Sequence, residues 1–297
     1  MYTLNCLDNS LVGCAYQSFT FPLYRSHLQQ LSPQGSVVAI GALENERSPI
    51  GLALAEIEAD RKSATMLSIF VHRNYRNRGI GTALLQRLEV ELAKRGCTKV
   101  QLNYTTSHSL AFALERLIQK CNWQTPIPRQ LVCKCDHRNL DAPWLDRDYR
   151  LPSSFTLFPW QEITTRERNL LHRQQQTEQW IPPGLVPFQH ETNLDFNSFG
   201  LRYQNEVVGW ILTHRLTPDT IRYTCAYIRP ELQKLARIIY LYQKSIKLHM
   251  TRPDIPHAIW TVPFRFKSHV GFILKRFGDY MDSIEESRES SKSLVNI

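Results

Sequence analysis

Between Met66 and Leu92 the chain changes period. An apolar-rich run, Met66 to Val71, gives way to a polar turn, and Ile80, Leu84, Leu88 and Leu92 then recur at helical spacing with Leu85 beside them. Gly96 stands where a helix-ending glycine belongs. Around this strand, turn and helix, the same reading predicts a short opening strand, a helical stretch near 21–31 and strands near 36–43, 50–60 and 64–72. It continues with a helix over 79–95, a strand over 98–104, a helix over 108–121 and a last strand near 130–135. Leu52, Leu54 and Ile57 among small residues mark one of these strands, and Val100 to Tyr104 alternates as a half-buried strand should.

The second half follows the same order from Phe155 to about Met281. Gly41 and Gly51 are echoed by Gly200 and Gly209 at offsets of 159 and 158, and Val71 answers to Ile228 at 157. Ser107-His108 through Arg116 is echoed by Ser268-His269 through Arg276. Such steady offsets point to duplication. The polar, proline-punctuated stretch from Asp136 to Ser154 reads as a connection. The expected organisation is therefore a domain over 1–138, a linker over 139–153, a second domain over 154–284 and a flexible tail over 285–297, poor in apolar residues.

Length and composition fit this division. The 297 residues exceed what one core usually serves, and 42% hydrophobic content supports globular folding. A net charge of +9 without a dense basic block welcomes anionic ligands but does not choose among them. Seven scattered cysteines, Cys133 and Cys135 the only close pair, read as free thiols of a reducing compartment. The opening residues carry no basic-then-apolar leader and no apolar run approaches 18 residues, so the expectation is a cytoplasmic chain with no membrane partner.

The chemistry concentrates at the turn. Gly79 and Gly81, one residue apart, let the backbone approach a ligand, and the helix beginning there aims unpaired N–H groups at an anion. Arg76 and Arg78 add charge. A dinucleotide-binding loop is disfavoured, because its third glycine and later acidic residue are missing. The pattern Arg76-x-x-Gly79-x-Gly81 resembles the acyl-CoA pyrophosphate loop of the GNAT acyltransferase superfamily. The resemblance implies an α/β chain of two tandem GNAT-like domains, each a mixed, mostly antiparallel central sheet flanked by helices. It also implies acetyl-CoA, or another acyl-CoA, as co-substrate, held by Ile69, Phe70, Val71, Arg76, Asn77, Arg78, Gly79, Ile80, Gly81 and Thr82. No metal is implied. The partner would be an amine acceptor, a small molecule or a protein, with nucleic acid disfavoured. In the second copy the cradle reads Gln233-Lys-Leu-Ala236-Arg-Ile238; a β-branched residue where a backbone must meet pyrophosphate makes that copy degenerate.

Direct transfer needs a neutral amine, an oxyanion donor and an acid for the leaving thiolate. A lysine-like amine is only about 0.04% neutral at pH 7, which is why a base helps. The resemblance places the oxyanion donor in the Ile69–Val71 segment. It places the usual glutamate base at Thr65, which cannot serve, leaving Glu56 and Glu58 on one face of the preceding strand as substitutes or as ordinary solvent-facing carboxylates. The usual acid tyrosine falls at Leu114, leaving Tyr104 and His108 as candidates, each with a structural alternative. A non-catalytic acyl-CoA sensor or scaffold, and an aminoacyl or other acyl transferase of the same architecture, remain as alternatives. His72 and His190 make no metal-ligand spacing, and the loop from Trp180 to Phe188 reads either as a groove wall or as a rigid packed connection.

Overall fold

The computed structural model describes residues 1–107, 109–233 and 237–294. It divides into two units, Met1–Arg129 with the chain from Glu286 onward, and Gln130–Glu285. In chain order the first part forms β1 (Tyr2–Leu7), α1 (Ser10–Cys14), β2 (Val37–Glu44), β3 (Ser48–Ile57), β4 (Ser63–Val71), α2 (Ile80–Lys94), β5 (Lys99–Thr105) and α3 (Ala111–Lys120). The expected helical stretch near 21–31 is a 3-10 helix, Pro22–Gln29. Then come β6 (Ile127–Asp136), β7 (Phe155–Pro159), α4 (Thr165–Glu178), β8 (Phe199–Tyr203), β9 (Glu206–Thr217) and β10 (Thr220–Ile228). The chain continues through α5 (Arg237–Met250), β11 (His257–Pro263), α6 (Lys267–Phe277) and β12 (Ser283–Ser293). No helix among the described residues is long and apolar enough to cross a membrane.

The first unit orders its sheet β1-β2-β3-β4-β5-β12, antiparallel throughout except for the β4–β5 pair. Side chains alternate across the strands, so each face has its own core. Val38, Ile40, Ala53 and Ala55 pack against Leu84, Leu88 and Leu92 of α2, together with Ile118 of α3. On the opposite face Val37, Ala39, Leu52 and Leu54 meet Tyr16, Phe19, Leu28 and Leu31 from the segment holding the 3-10 helices.

The residues expected to fray form the last strand of this sheet. β12 pairs with β5 from Ser287↔Thr105 to Ser293↔Lys99. Its polar side chains are not left in water: Ser290 and Ser291 bond Gln124, Arg288 bonds Glu115, and Arg129 holds Glu289 at 2.8 Å. Lys292 donates to buried Glu89 of α2, 2.5 Å away, and to the Cys121 carbonyl at 2.7 Å, while Trp123 Nε1 donates to the other Glu89 oxygen at 2.7 Å. A strand whose inward groups are satisfied by ion pairs and hydrogen bonds carries no apolar alternation, and this is why composition misread it.

The second unit orders its sheet β6-β11-β10-β9-β8-β7, with β10–β11 the parallel pair. The strand that follows α3 in sequence therefore belongs by its pairing to this unit, from Asp136↔His257 to Gln130↔Pro263. The expected linker is also part of the core: Leu140, Ala142, Trp144 and Leu145 are buried, and Trp144 Nε1 donates to the Arg276 carbonyl at 2.9 Å. Its apolar anchors outweigh its prolines. All seven cysteines are free, and burial pushes the Cys133 and Cys135 thiols up to about 11 and about 12.

His249 of α5 is fully buried. Its Nε2–H donates to the Ile255 carbonyl at 2.8 Å, so Nδ1 accepts from the Tyr223 hydroxyl at 3.2 Å. Burial is the larger influence and holds its pKa down at about 4 against the ordinary 6.5, with the Ile255 bond opposing and His137 assisting. Because the unfolded chain binds this proton first, the contribution to stability is complete above pH 6.5 and is lost as pH falls toward 4. The expected loss is about 1.4 kcal/mol per pH unit in that window, read from urea midpoints at pH 7 and pH 5. In the first unit, Lys292→Met leaves Glu89 buried without its cation and should cost about 3–5 kcal/mol; urea unfolding should recover most of that in Glu89→Leu/Lys292→Met.

Candidate active site

The parallel β4–β5 pairing runs only from Ser63↔Lys99 to Met66↔Leu102. At the next residue the β3–β4 register slips, Leu54 facing Ser68 and Ala55 facing Met66, so Leu67 is an extra residue. Leu67 and Ser68 consequently both turn to the face of the 3-10 helices, where Ser68 Oγ lies 2.7 Å from Thr20 Oγ1. Beyond the bulge β4 keeps its pairing with β3 to Gly51↔Val71 but has no partner in β5. The His72 N–H donates to the Ile50 carbonyl at 2.8 Å. Strand alternation then turns the Ile69 and Val71 N–H groups away from β3, toward the side β5 has left.

The turn follows directly. Arg76 Nε donates to the Val71 carbonyl at 3.0 Å and its guanidinium lies over Phe70. The Tyr75 hydroxyl donates to Glu44 at 2.5 Å, tying the turn to β2, and Arg78 lies over the Tyr75 ring. His72 Nδ1 accepts the Asn74 N–H at 3.4 Å, a local turn contact. Asn77 and Gly79 take left-handed backbone, φ 61° and 78°. Arg76 through Gly79 are exposed, whereas Ile80 is buried and Thr82 half-buried, so the helix is anchored while the loop faces out. Among the described residues no side chain caps α2, and the amides of its first turn keep their donors. A Cβ at Gly79 would touch nothing, and one at Gly81 would meet Leu117 and Val71 at an ordinary 3.8 Å. Packing within the protein does not require either glycine; conformation requires the first, and the second leaves the approach to the helix end clear.

The acid and base candidates are divided between the two faces. Tyr104 packs on the α2–α3 face, and its hydroxyl donates to Glu115 Oε1 at 2.5 Å, an oxygen that also accepts from Arg288 at 2.9 Å. Burial first, then the Glu115 bond, raise its pKa far above the ordinary tyrosine range. Glu56 and Glu58 belong to the other face. Glu56 pairs with His27 at 3.5 Å, whereas Glu58 is exposed and accepts from Thr65 Oγ1 at 2.6 Å. His108 lies outside the described residues. Sequence reasoning missed Arg288, hidden in the polar tail, and His27, whose contact spans distant residues.

The second unit repeats the framework and closes it. Thr224 is an extra residue of β10 just past Tyr223↔Trp260, the last parallel pair, and lies 157 positions after Leu67. Gln233 Nε2 donates to the Ile228 carbonyl at 2.8 Å, as Arg76 does to Val71. However, Ile238 stands at the second glycine position, packed against the core, and Arg237 lies over Phe155 at 4.5 Å. Ala236 lies outside the described residues. The Trp180–Phe188 loop is the packed kind: Ile181 and Leu185 are buried, and Trp210 and Cys225 both donate to the Leu185 carbonyl.

Residues 4–122 match the model of the Acetyltransferase (GNAT) family. A tandem GNAT protein of the clavulanic acid biosynthesis pathway is similar over 99% of this chain and 98% of that one, with TM-score 0.65 and 12% identity. Residues 4–122 thus resemble a GNAT domain, and the chain shares the fold of tandem GNAT proteins. A GCN5-related N-acetyltransferase from Sphaerobacter thermophilus is similar over 99% and 96% of the two chains, with TM-score 0.61 and 14% identity. A fungal glucosamine N-acetyltransferase region of a multi-domain GH3 protein is similar over 98% of this chain and 38% of its own, with TM-score 0.56 and 13% identity. At these identities the structures show a shared fold, and the family match covers residues 4–122.

The two cradle glycines should separate in a stability measurement. Gly79→Ala forces a side chain into left-handed backbone and should cost about 1–2 kcal/mol, while Gly81→Ala should leave urea stability within about 1 kcal/mol of the parent.

Proposed function

We propose that the first GNAT unit transfers an acyl group, acetyl foremost, from acyl-CoA to an amine by direct attack. The observation that carries this reading is the uncapped, anchored N-terminus of α2 behind a left-handed, arginine-bearing turn, a fit for pyrophosphate. The donor would lie from Arg76, Asn77, Arg78, Gly79, Ile80, Gly81 and Thr82 to the opening between β4 and β5, with Ile69, Phe70 and Val71 along its path. The amine nitrogen bonds the thioester carbonyl carbon, the carbonyl oxygen gains charge, and collapse breaks the C–S bond. The Ile69 and Val71 N–H groups are the donors for that oxygen. Glu58 is the preferred proton acceptor, because Glu56 is engaged with His27. Tyr104 is the acid candidate at the opening, and giving up its proton requires breaking the bond to Glu115. Buried free thiols fit a reducing compartment such as the cytoplasm.

One observation favours a second reading, an acyl-CoA sensor without turnover: the only described acid candidate has its proton committed elsewhere. Isothermal titration with acetyl-CoA should show saturable binding that Gly81→Val removes while the protein stays folded. An unaltered protein with no binding at high micromolar acetyl-CoA refutes the donor assignment. Sustained release of CoA thiol across an amine panel separates transferase from sensor.

A further inference from the structure

Thr65 lacks a basic group, yet its contacts make it the centre of a polar row across three strands. Its Oγ1 accepts from Gln101 Nε2 at 3.2 Å, so its own proton is directed to Glu58 Oε1, 2.6 Å away. Glu58 follows the end of β3, Thr65 is on β4 and Gln101 on β5. We propose that Thr65 and Gln101 are positioning residues that hold the Glu58 carboxylate for taking the proton from the acceptor amine. This role rests on the acyl-transfer reading above.

Three observations carry the proposal. The Thr65↔Gln101 pair is one rung, about 3.3 Å along the strand, before Met66↔Leu102, where β4 and β5 part, so the row borders the opening. Glu58 is exposed, and Oε2 has no bonded partner among the described residues, which leaves one oxygen for an incoming ammonium while Thr65 fixes the other. The second unit carries Arg222 and Ile259 at the same rung, so the row accompanies the intact cradle and is absent beside the closed one. Further charged groups on this face near the row are Glu56 of β3, paired with His27 of the 3-10 helix, Lys99 of β5, and Glu289 of β12, paired with Arg129.

Proton balance is simple. The acceptor ammonium gives one proton to Glu58 Oε2 and the freed lone pair forms the C–N bond; the nitrogen's second proton is lost as the C–S bond breaks and leaves with the CoA thiol, and Glu58 returns its proton to solvent after the product leaves. Thr65 and Gln101 exchange no proton.

The test uses the full chain with acetyl-CoA and the amine of the panel that releases most thiol. Glu58→Gln should lower kcat about 100-fold or more. Thr65→Val, close in shape but without the hydroxyl, should lower kcat about tenfold with KM for acetyl-CoA unchanged, and Thr65→Ser should restore it. Glu58→Gln/Thr65→Glu, which supplies a carboxylate from β4, should recover at least about tenfold over Glu58→Gln. Parental kcat in Thr65→Val, or Thr65→Ser as slow as Thr65→Val, overturns the positioning role and leaves the transferase reading intact. A parent that binds acetyl-CoA and releases no thiol with any amine overturns both.

Discussion

An extra residue in a β-strand disrupts its ladder locally and bends the strand. In β4 that residue is Leu67. The antiparallel ladder with β3 resumes after it, whereas the parallel ladder with β5 stops at Met66↔Leu102. Everything proposed for the site depends on this asymmetry: the freed amides of Ile69 and Val71, the polar row one rung short of the break, and an unobstructed route to the start of α2. The same residue count recurs at Thr224 in the second unit, where aromatic side chains instead meet at the break, Tyr223 stacked on Trp260 at 4.6 Å. The backbone geometry is shared there, but the ligand-binding residues are not.

What could be read from the sequence follows from how far each signal reaches along the chain. The cradle was legible because Arg76, Gly79, Gly81 and the leucines of α2 act through neighbours within a few turns. The bulge was not, since Met66-Leu67-Ser68-Ile69-Phe70-Val71 is a nearly continuous apolar run and carries no period to break. Thr65 was dismissed as a base on its side-chain chemistry, which holds, but its bonds to Glu58 and Gln101 join three strands and no local pattern announces them. Composition gave Lys292 and its neighbours to solvent, because the buried Glu89 that accepts the Lys292 ammonium lies 203 positions away.

Both units answer buried carboxylates with cations, Glu89 with Lys292 in the first and Asp195 with Arg215 in the second, but the second also buries a network of neutral groups. Asn197 bonds Tyr223, the Ser245 carbonyl and Thr213, and Tyr223 continues to His249. A network with each of these groups satisfied fixes one arrangement of its members.

β12 emerges from the ribosome only after all of the second unit has been made, yet it covers the β5 edge of the first. Until then the N-terminal sheet presents an uncovered strand, the kind of surface that invites foreign pairing. Order of synthesis and order of completion are thus inverted: the half translated first is finished last. A cut between the second unit and β12 would uncover the β5 edge of the first sheet without touching any residue of the cradle, so one distant strand decides whether that sheet is covered.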